Sequence, residues 1–225
     1  MSVMILKIPN VLTSDELEYV TSRLAQAEFV DGKLTAGWHA KLVKNNQQLK
    51  HGTPEVQTLR EFVEKAIRRN PLFQAAVRPK VLHSLLFSRY DVGMSYGSHT
   101  DNALMGDAAF LRSDVSFTLF LTAPSAYDGG ELVLEGADDE RAYKLETGAM
   151  IVYPSTTLHR VDPVTKGTRL VVVGWVQSLV RDVGEREILF DLDVVRRAIF
   201  AKEGKTPEFD LISKSVANLL RRWVD

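Results

Sequence analysis

The sequence predicts a mainly β domain with flanking α-helices, an antiparallel sandwich or jelly roll followed by a helical hairpin. From Val81 to about Gln177, short β-type runs alternate with turn clusters and no helix-length pattern intervenes, which favours antiparallel pairing over a parallel sheet. Before this stretch two segments place apolar residues at helical spacing. After Ser178 the helical period returns. The mouth of such a barrel is a natural ligand site.

In order, Thr13-Ser14-Asp15-Glu16 reads as a capping box, and Leu17, Val20, Leu24 and Ala27 follow it on one helical face. Gly37 to Val43 looks strand-like and leads into the polar Lys44-Asn45-Asn46-Gln47-Gln48. A second helix starts at Thr53 with Pro54 in its first turn, carries Val56, Leu59, Val63, Ala66 and Ile67, and is stopped by Asn70-Pro71. Strands are expected at Val81 to Tyr90, Asp114 to Thr122, Glu131 to Glu135, Ala149 to Tyr153, Leu158 to Val161 and Thr168 to Gln177. The closing hairpin has one stripe of Ile188, Leu189, Leu192, Val195 and Ile199. Its second helix starts at Thr206-Pro207 and carries Phe209, Ile212, Val216, Leu219, Leu220 and Trp223. This divides the chain into a domain over 1–177 and a helical extension over 178–225.

The 225 residues suffice to bury a sizeable core. A net charge of -1 gives no electrostatic footprint for nucleic acid or for an anionic membrane surface. No apolar run approaches the roughly 20 residues of a spanning helix, and the first residues lack the pattern of a signal peptide, so a cytoplasmic protein is expected. Cysteine is absent, which excludes disulfides, iron–sulfur clusters and thiol catalysis. Any metal must be held by histidine and carboxylate.

His99 and Asp101 form such a candidate pair. On an extended segment residues two apart face the same side, with Cα atoms about 6.6 Å apart. His159, from a neighbouring strand, would complete a facial set of two imidazoles and one carboxylate. That set leaves three coordination positions open, enough for a ferrous ion to hold a bidentate cosubstrate and dioxygen. Fe(II) with Asp101 and a dianionic 2-oxo acid would leave one negative charge in excess, which Arg169 balances with a fork suited to a carboxylate. Between His159 and Arg169 the cluster Asp162-Pro163-Val164-Thr165-Lys166-Gly167 is built to reverse the chain. A hairpin or corner centred near Val164 would return both side chains to one end of the barrel.

The stretch Arg89-Tyr90-x-x-Gly93 to His99-x-Asp101, then Gly129-Gly130-Glu131-Leu132, Gly148 to Pro154, His159-Arg160-Val161 and Arg169, resembles the prolyl 4-hydroxylase type of Fe(II)/2-oxoglutarate dioxygenase, and within it the PKHD-type hydroxylases. The resemblance covers nearly the whole chain. It implies a double-stranded β-helix (jelly-roll) core, iron at His99, Asp101 and His159, and Arg169 on the distal carboxylate of 2-oxoglutarate. It also implies a cosubstrate hydrogen bond from Tyr90, with dioxygen as co-reactant and L-ascorbate as a further requirement. Where some relatives have a second tyrosine on the next strand, this chain has Phe120. The substrate is left open between a small molecule and a peptide, and an association with iron acquisition is implied by resemblance alone.

Other residues have plainer readings. His39 and His51 lack partners at metal-ligand spacing and read as surface or packed histidines. His83 precedes Leu85 and Phe87 on one strand face and reads as a satisfied core or interface histidine. Trp175 reads as core, Tyr96 as a loop aromatic or a substrate-side residue, and Asp138-Asp139-Glu140 as a solvated turn. Arg160 and Asp162 are candidates to orient His159. Ser95, Ser98 and Asn102 are small polar residues near the mouth. Two other classes stay open: a cupin-like metalloenzyme without a 2-oxo acid, and a non-catalytic sensor of iron or 2-oxoglutarate. The terminal helices could also pair copies into a homo-oligomer.

Overall fold

A computed structural model describes residues 4–106 and 110–225. The chain begins with β1 (Leu6–Ile8) and helix α1 (Ser14–Ala25), the latter started by the capping box in which Thr13 and Glu16 each bond the other's main-chain N–H. Next come β2 (Phe29–Asp31), β3 (Lys44–Asn45) and β4 (Gln47–Leu49), then α2 (Pro54–Arg69) and α3 (Pro71–Val77). The barrel proper follows: β5 (Pro79–Tyr90), β6 (Ser95–His99), β7 (Leu104–Met105), β8 (Leu111–Arg112), β9 (Val115–Phe120) and β10 (Tyr127–Gly129). It continues with β11 (Leu132–Glu135), β12 (Glu140–Tyr143), β13 (Met150–Pro154), β14 (Leu158–Val161), β15 (Val164–Gly167) and β16 (Arg169–Ser178). Helices α4 (Val183–Glu203) and α5 (Pro207–Trp223) close the chain.

The strands form a seven-stranded sheet in the order β1-β13-β9-β16-β5-β4-β2 and a five-stranded sheet in the order β12-β11-β14-β6-β3, every pairing antiparallel. Two cores hold this jelly roll together. Val20, Leu24, Leu59, Val63, Ile67 and Phe73 of the N-terminal helices pack with Leu85, Phe87, Phe117, Leu119, Met150 and Val172 of the larger sheet. Phe120, Leu132, Leu134, Ile151, Val161 and Val171 fill the space between the two sheets. Because both faces of β9 are covered, all six of its residues are buried, including Ser116 and Thr118. Helices α4 and α5 pack on each other through Leu189 and Val216, and α4 also contacts α3. No described helix is long and apolar enough to cross a membrane.

Several expectations need correction. Gly37 to Val43 is not a strand: it turns through a 3-10 helix at Ala40–Leu42, with Trp38 and Leu42 exposed and only Ala40 buried, so no alternating face exists to pair. The polar run after it forms β3 and β4, with Lys44, Asn46 and Gln48 buried. Asn70-Pro71 ends α2 and also starts α3, because the Asn70 side chain accepts from the N–H groups of Leu72 and Phe73. The reversal between His159 and Arg169 is no simple hairpin: Val164–Gly167 is itself a strand, paired with Tyr127–Gly129, so the chain crosses from the smaller sheet to the larger through an extra layer. In α4, Ile188 and Val195 of the expected stripe are half exposed, whereas Arg186 and Asp193 are buried.

Candidate active site

His99 ends β6 and lies directly opposite His159 of β14, and Asp101 follows two residues beyond His99. One ligand atom from each of the three lies within 4.8 Å of the others. Each imidazole is held by its own strand: His99 Nδ1 is 2.8 Å from the Gly97 carbonyl and His159 Nδ1 is 3.0 Å from the Thr157 carbonyl. A carbonyl can only accept, so Nδ1 carries the proton in both rings and Nε2 presents its lone pair. His159 Nε2 is 3.9 Å from Asp101 Oδ2. Burial, and then the neighbouring His159, push His99 down to about 4, so its ring is neutral at ordinary pH and ready to ligate. The donor set fits a divalent transition metal with open positions.

The Asp101 carboxylate is fixed by a group absent from the candidates drawn from sequence. Ser116 Oγ lies 2.5 Å from Asp101 Oδ2 and 2.8 Å from Ser155 Oγ. Ser116 has one hydroxyl proton and gives it to the carboxylate, so Ser155 donates to Ser116. The pattern that could have revealed it is a serine at a fully buried position in an apolar strand. Arg160 and Asp162 do not orient His159. Arg160 spends its guanidinium on Asp162, Glu135 and Glu140.

Arg169 opens β16 opposite Tyr90, the last residue of β5. The residue is only 1% exposed, and neither Nε nor Nη1 has a hydrogen-bond partner among the described residues. Its carbon Cζ sits 5.0 Å from the Tyr90 ring centroid and 5.5 Å from that of Phe120. A buried cation between two aromatic faces with donors unspent is arranged to receive an anion. Tyr90 is buried, which raises its phenol while the nearby Arg169 opposes that shift.

Arg169, Tyr90 and the His-Asp-His set line one cavity of about 560 Å³. Tyr96 stacks on His99 at 3.6 Å between ring centroids and lines the same cavity, as do Asn102, Lys44 and Arg60. His83 and Trp175 line it too, with His83 Nδ1 and Trp175 Nε1 buried and without a partner among the described residues, so His83 is not the satisfied core or interface histidine expected and Trp175 faces the cavity. The cause is a bulge: Ser84 takes φ 41°, two residues of β5 oppose Gly174 alone, and the face shared by His83 and Leu85 is lost. Ser98 instead donates to Glu135, 2.7 Å away.

The model of the 2OG-Fe(II) oxygenase superfamily matches residues 85–177, the stretch that carries Tyr90, His99, Asp101, His159 and Arg169. A PKHD-type hydroxylase of Gloeothece citriformis is 69% identical over 99% of this chain and 100% of its own length, and one of Picosynechococcus is 66% identical over 98% and 99%. This chain belongs to the PKHD-type hydroxylases. Like the family, the hydroxylase is an Fe(II)/2-oxoglutarate-dependent dioxygenase, an enzyme with 2-oxoglutarate and dioxygen as cosubstrates. Its jelly roll is shared with a prolyl-4-hydroxylase of Pseudomonas putida (TM-score 0.52, 20% identity, covering 79% of this chain and 94% of that one). It is also shared with a Trichoplax adhaerens prolyl hydroxylase in complex with a hypoxia inducible factor peptide (TM-score 0.55, 16% identity, covering 82% and 86%).

Proposed function

We propose that His99, Asp101 and His159 hold the ferrous ion of this hydroxylase and that Arg169, with Tyr90, takes the distal carboxylate of 2-oxoglutarate. The observation that carries the reading is the Arg169 guanidinium, buried with two donor atoms unspent in the cavity that the His-Asp-His set also lines. With iron and both cosubstrates bound, dioxygen would be the oxidant: one of its oxygen atoms would go to 2-oxoglutarate, giving succinate and carbon dioxide, and the other would enter a substrate C–H bond as a hydroxyl. The chain's own part is to present two preset imidazoles and a fixed carboxylate, to neutralise the diacid at Arg169, and to keep water from the interior with the wall of Leu132, Val161 and Val173. Ser116 holds Asp101 in register for the metal.

Anaerobic addition of Fe(II) and 2-oxoglutarate should give a visible charge-transfer band that Fe(II) alone does not. Arg169→Ala should weaken 2-oxoglutarate binding by about 2 kcal/mol, or roughly thirtyfold, measured by titrating that band. Unchanged affinity would remove Arg169 from the reading. A band absent with iron bound would favour the cupin-like alternative, and bound iron and cosubstrate without succinate formation would favour a sensor.

The hydroxylated substrate is a small molecule or a peptide. In the reading adopted here it is tied to iron acquisition, as the family resemblance suggests, and ascorbate sustains turnover. A search of extracts from iron-starved cells for a product heavier by one oxygen tests the first, and turnover number with and without ascorbate tests the second. Nucleic acid has no role in this activity, and 178–225 is an extension that covers the barrel or pairs two copies. Sedimentation of the full chain against a truncation at Ser178 distinguishes the two.

A further inference from the structure

Lys44 is a buried cation that the proposed chemistry does not use. It lies on β3, is 4% exposed, and lines the cavity beside the His-Asp-His set. Its Nζ donates to Thr35 Oγ1 at 3.1 Å and sits 5.1 Å from the centroid of Tyr96, the ring that stacks on His99. No described carboxylate lies within 4.0 Å of it. The charged side chains among the described lining residues are Lys44, Arg60, Arg169 and Asp101. If Asp101 serves the metal and Arg169 the cosubstrate, iron and the diacid leave the centre neutral, and Lys44 and Arg60 remain as positive charge in the cavity; burial pulls the Lys44 ammonium down to about 8, and Asp101 and Asp31 oppose that shift without pairing with it. Among the described residues Arg60 Nε is buried without a partner, and the side chain hydrogen-bonds to His51 through Nη2. Burying a cation this way is costly unless an anion arrives to meet it.

We propose that the substrate of this hydroxylase carries a carboxylate, held by the Lys44 ammonium with the Thr35 hydroxyl beside it, one aromatic ring away from the metal-binding histidine. The inference rests on the assignment of Arg169 to 2-oxoglutarate, since that assignment is what leaves Lys44 free for the substrate. It makes Lys44 a specificity residue: the acid group is anchored at β3 and the C–H bond to be attacked lies on the part of the molecule that reaches past Tyr96 toward the metal. Neutral analogues of the same shape leave the ammonium unpaired and bind worse.

The test uses the full chain loaded anaerobically with Fe(II) and 2-oxoglutarate. Straight-chain carboxylates from acetate to octanoate, and the matching primary amides, are titrated while the charge-transfer band is followed. For at least one chain length the acid should bind about tenfold more tightly than its amide. The preference should vanish in Lys44→Met and survive in Lys44→Arg, while the Kd of 2-oxoglutarate in Lys44→Met stays within about twofold of wild type. Amides matching acids at every length in the wild-type protein would overturn the proposal, and this comparison needs no variant to fold. A preference that persists in Lys44→Met, or a loss of 2-oxoglutarate affinity equal to the loss of acid binding, would also overturn it, the latter by moving Lys44 to the cosubstrate. Failure of the band to form at all falls on the proposed use of iron and 2-oxoglutarate instead, so the two failures are separable.

Discussion

The interior of the jelly roll and the C-terminal helix pair both bury charge, and they treat it in opposite ways. In the helix pair, Asp193 is buried on α4 and is met by Arg196 and by Arg197, whose Nε lies 2.6 Å away. Arg186, on the same helix, gives Nη1 to the carbonyls of Val180 and Arg181 at 2.8 Å each. Between the sheets, Arg169 keeps Nε and Nη1 unpaired, and His83 and Trp175 each keep a ring nitrogen unpaired. Polar groups satisfied within the chain hold a shape. Those left open in a cavity hold a place for something that the chain does not contain. The separation is not complete, since Arg186 Nε and Ser213 Oγ also lack partners in the helix pair.

The largest effect is expected at the metal set itself: His159→Ala should lower succinate formation by about a thousandfold or more with little change in Tm, because the lost imidazole serves the metal and not the core. Asp193→Asn should do the reverse. Its arginine partners are partly exposed and can rehydrate, so the loss is about 1 to 2 kcal/mol, a fall of roughly 3 to 6 °C in Tm by calorimetry, with 2-oxoglutarate affinity unchanged. Arg169→Met sharpens the contrast by its sign. Removing a buried, unpaired cation should raise the Tm of the ligand-free protein by about 2 to 4 °C while the stabilisation that 2-oxoglutarate gives the wild type disappears. A lower Tm would mean that the guanidinium supports the fold.

The smallest effect lies outside both regions. Arg69 holds the Glu16 carboxyl down to about 2 from an ordinary value of 4.5. A carboxyl depressed in the folded state stabilises above its unfolded value, and that contribution is lost as pH falls from about 4.5 to 2. Glu16→Gln should therefore lower Tm by about 1 to 2 °C at pH 7, and the gap from wild type should narrow across that window. A gap independent of pH would assign the effect to the capping box alone.

How much of this was legible in the sequence depended on whether a residue's role showed in its spacing. The His-x-Asp pair, the later histidine and Arg169 stood out because a proposed metal set and its charge balance require particular residue types at intervals that strands can bring together, and the structure gathers all four around one cavity. The helices starting at Thr13, Thr53 and Thr206 were visible through their caps, and the structure has all three. Lys44 and Gln48 were hidden because a polar run reads as a loop, whereas here the polar faces of β3 and β4 turn inward to the cavity. His83 and Trp175 read as core because a two-residue period assumes an unbroken ladder, and the bulge at Ser84 breaks it. Asn70 was read as an end only, though one side chain can close a helix and open the next.

Gly97 does two things at once. Its carbonyl fixes His99, and its N–H donates to the Val43 carbonyl at 2.9 Å, with so little room that a Cβ there would lie 2.8 Å from the Cβ of Val43. The missing side chain is what lets the segment carrying Lys44 come up against the strand carrying His99. A single hydrogen atom in place of a methyl group thus sets the gap between the lysine and the histidine ends of the cavity, and alanine at 97 would widen that gap without touching either one.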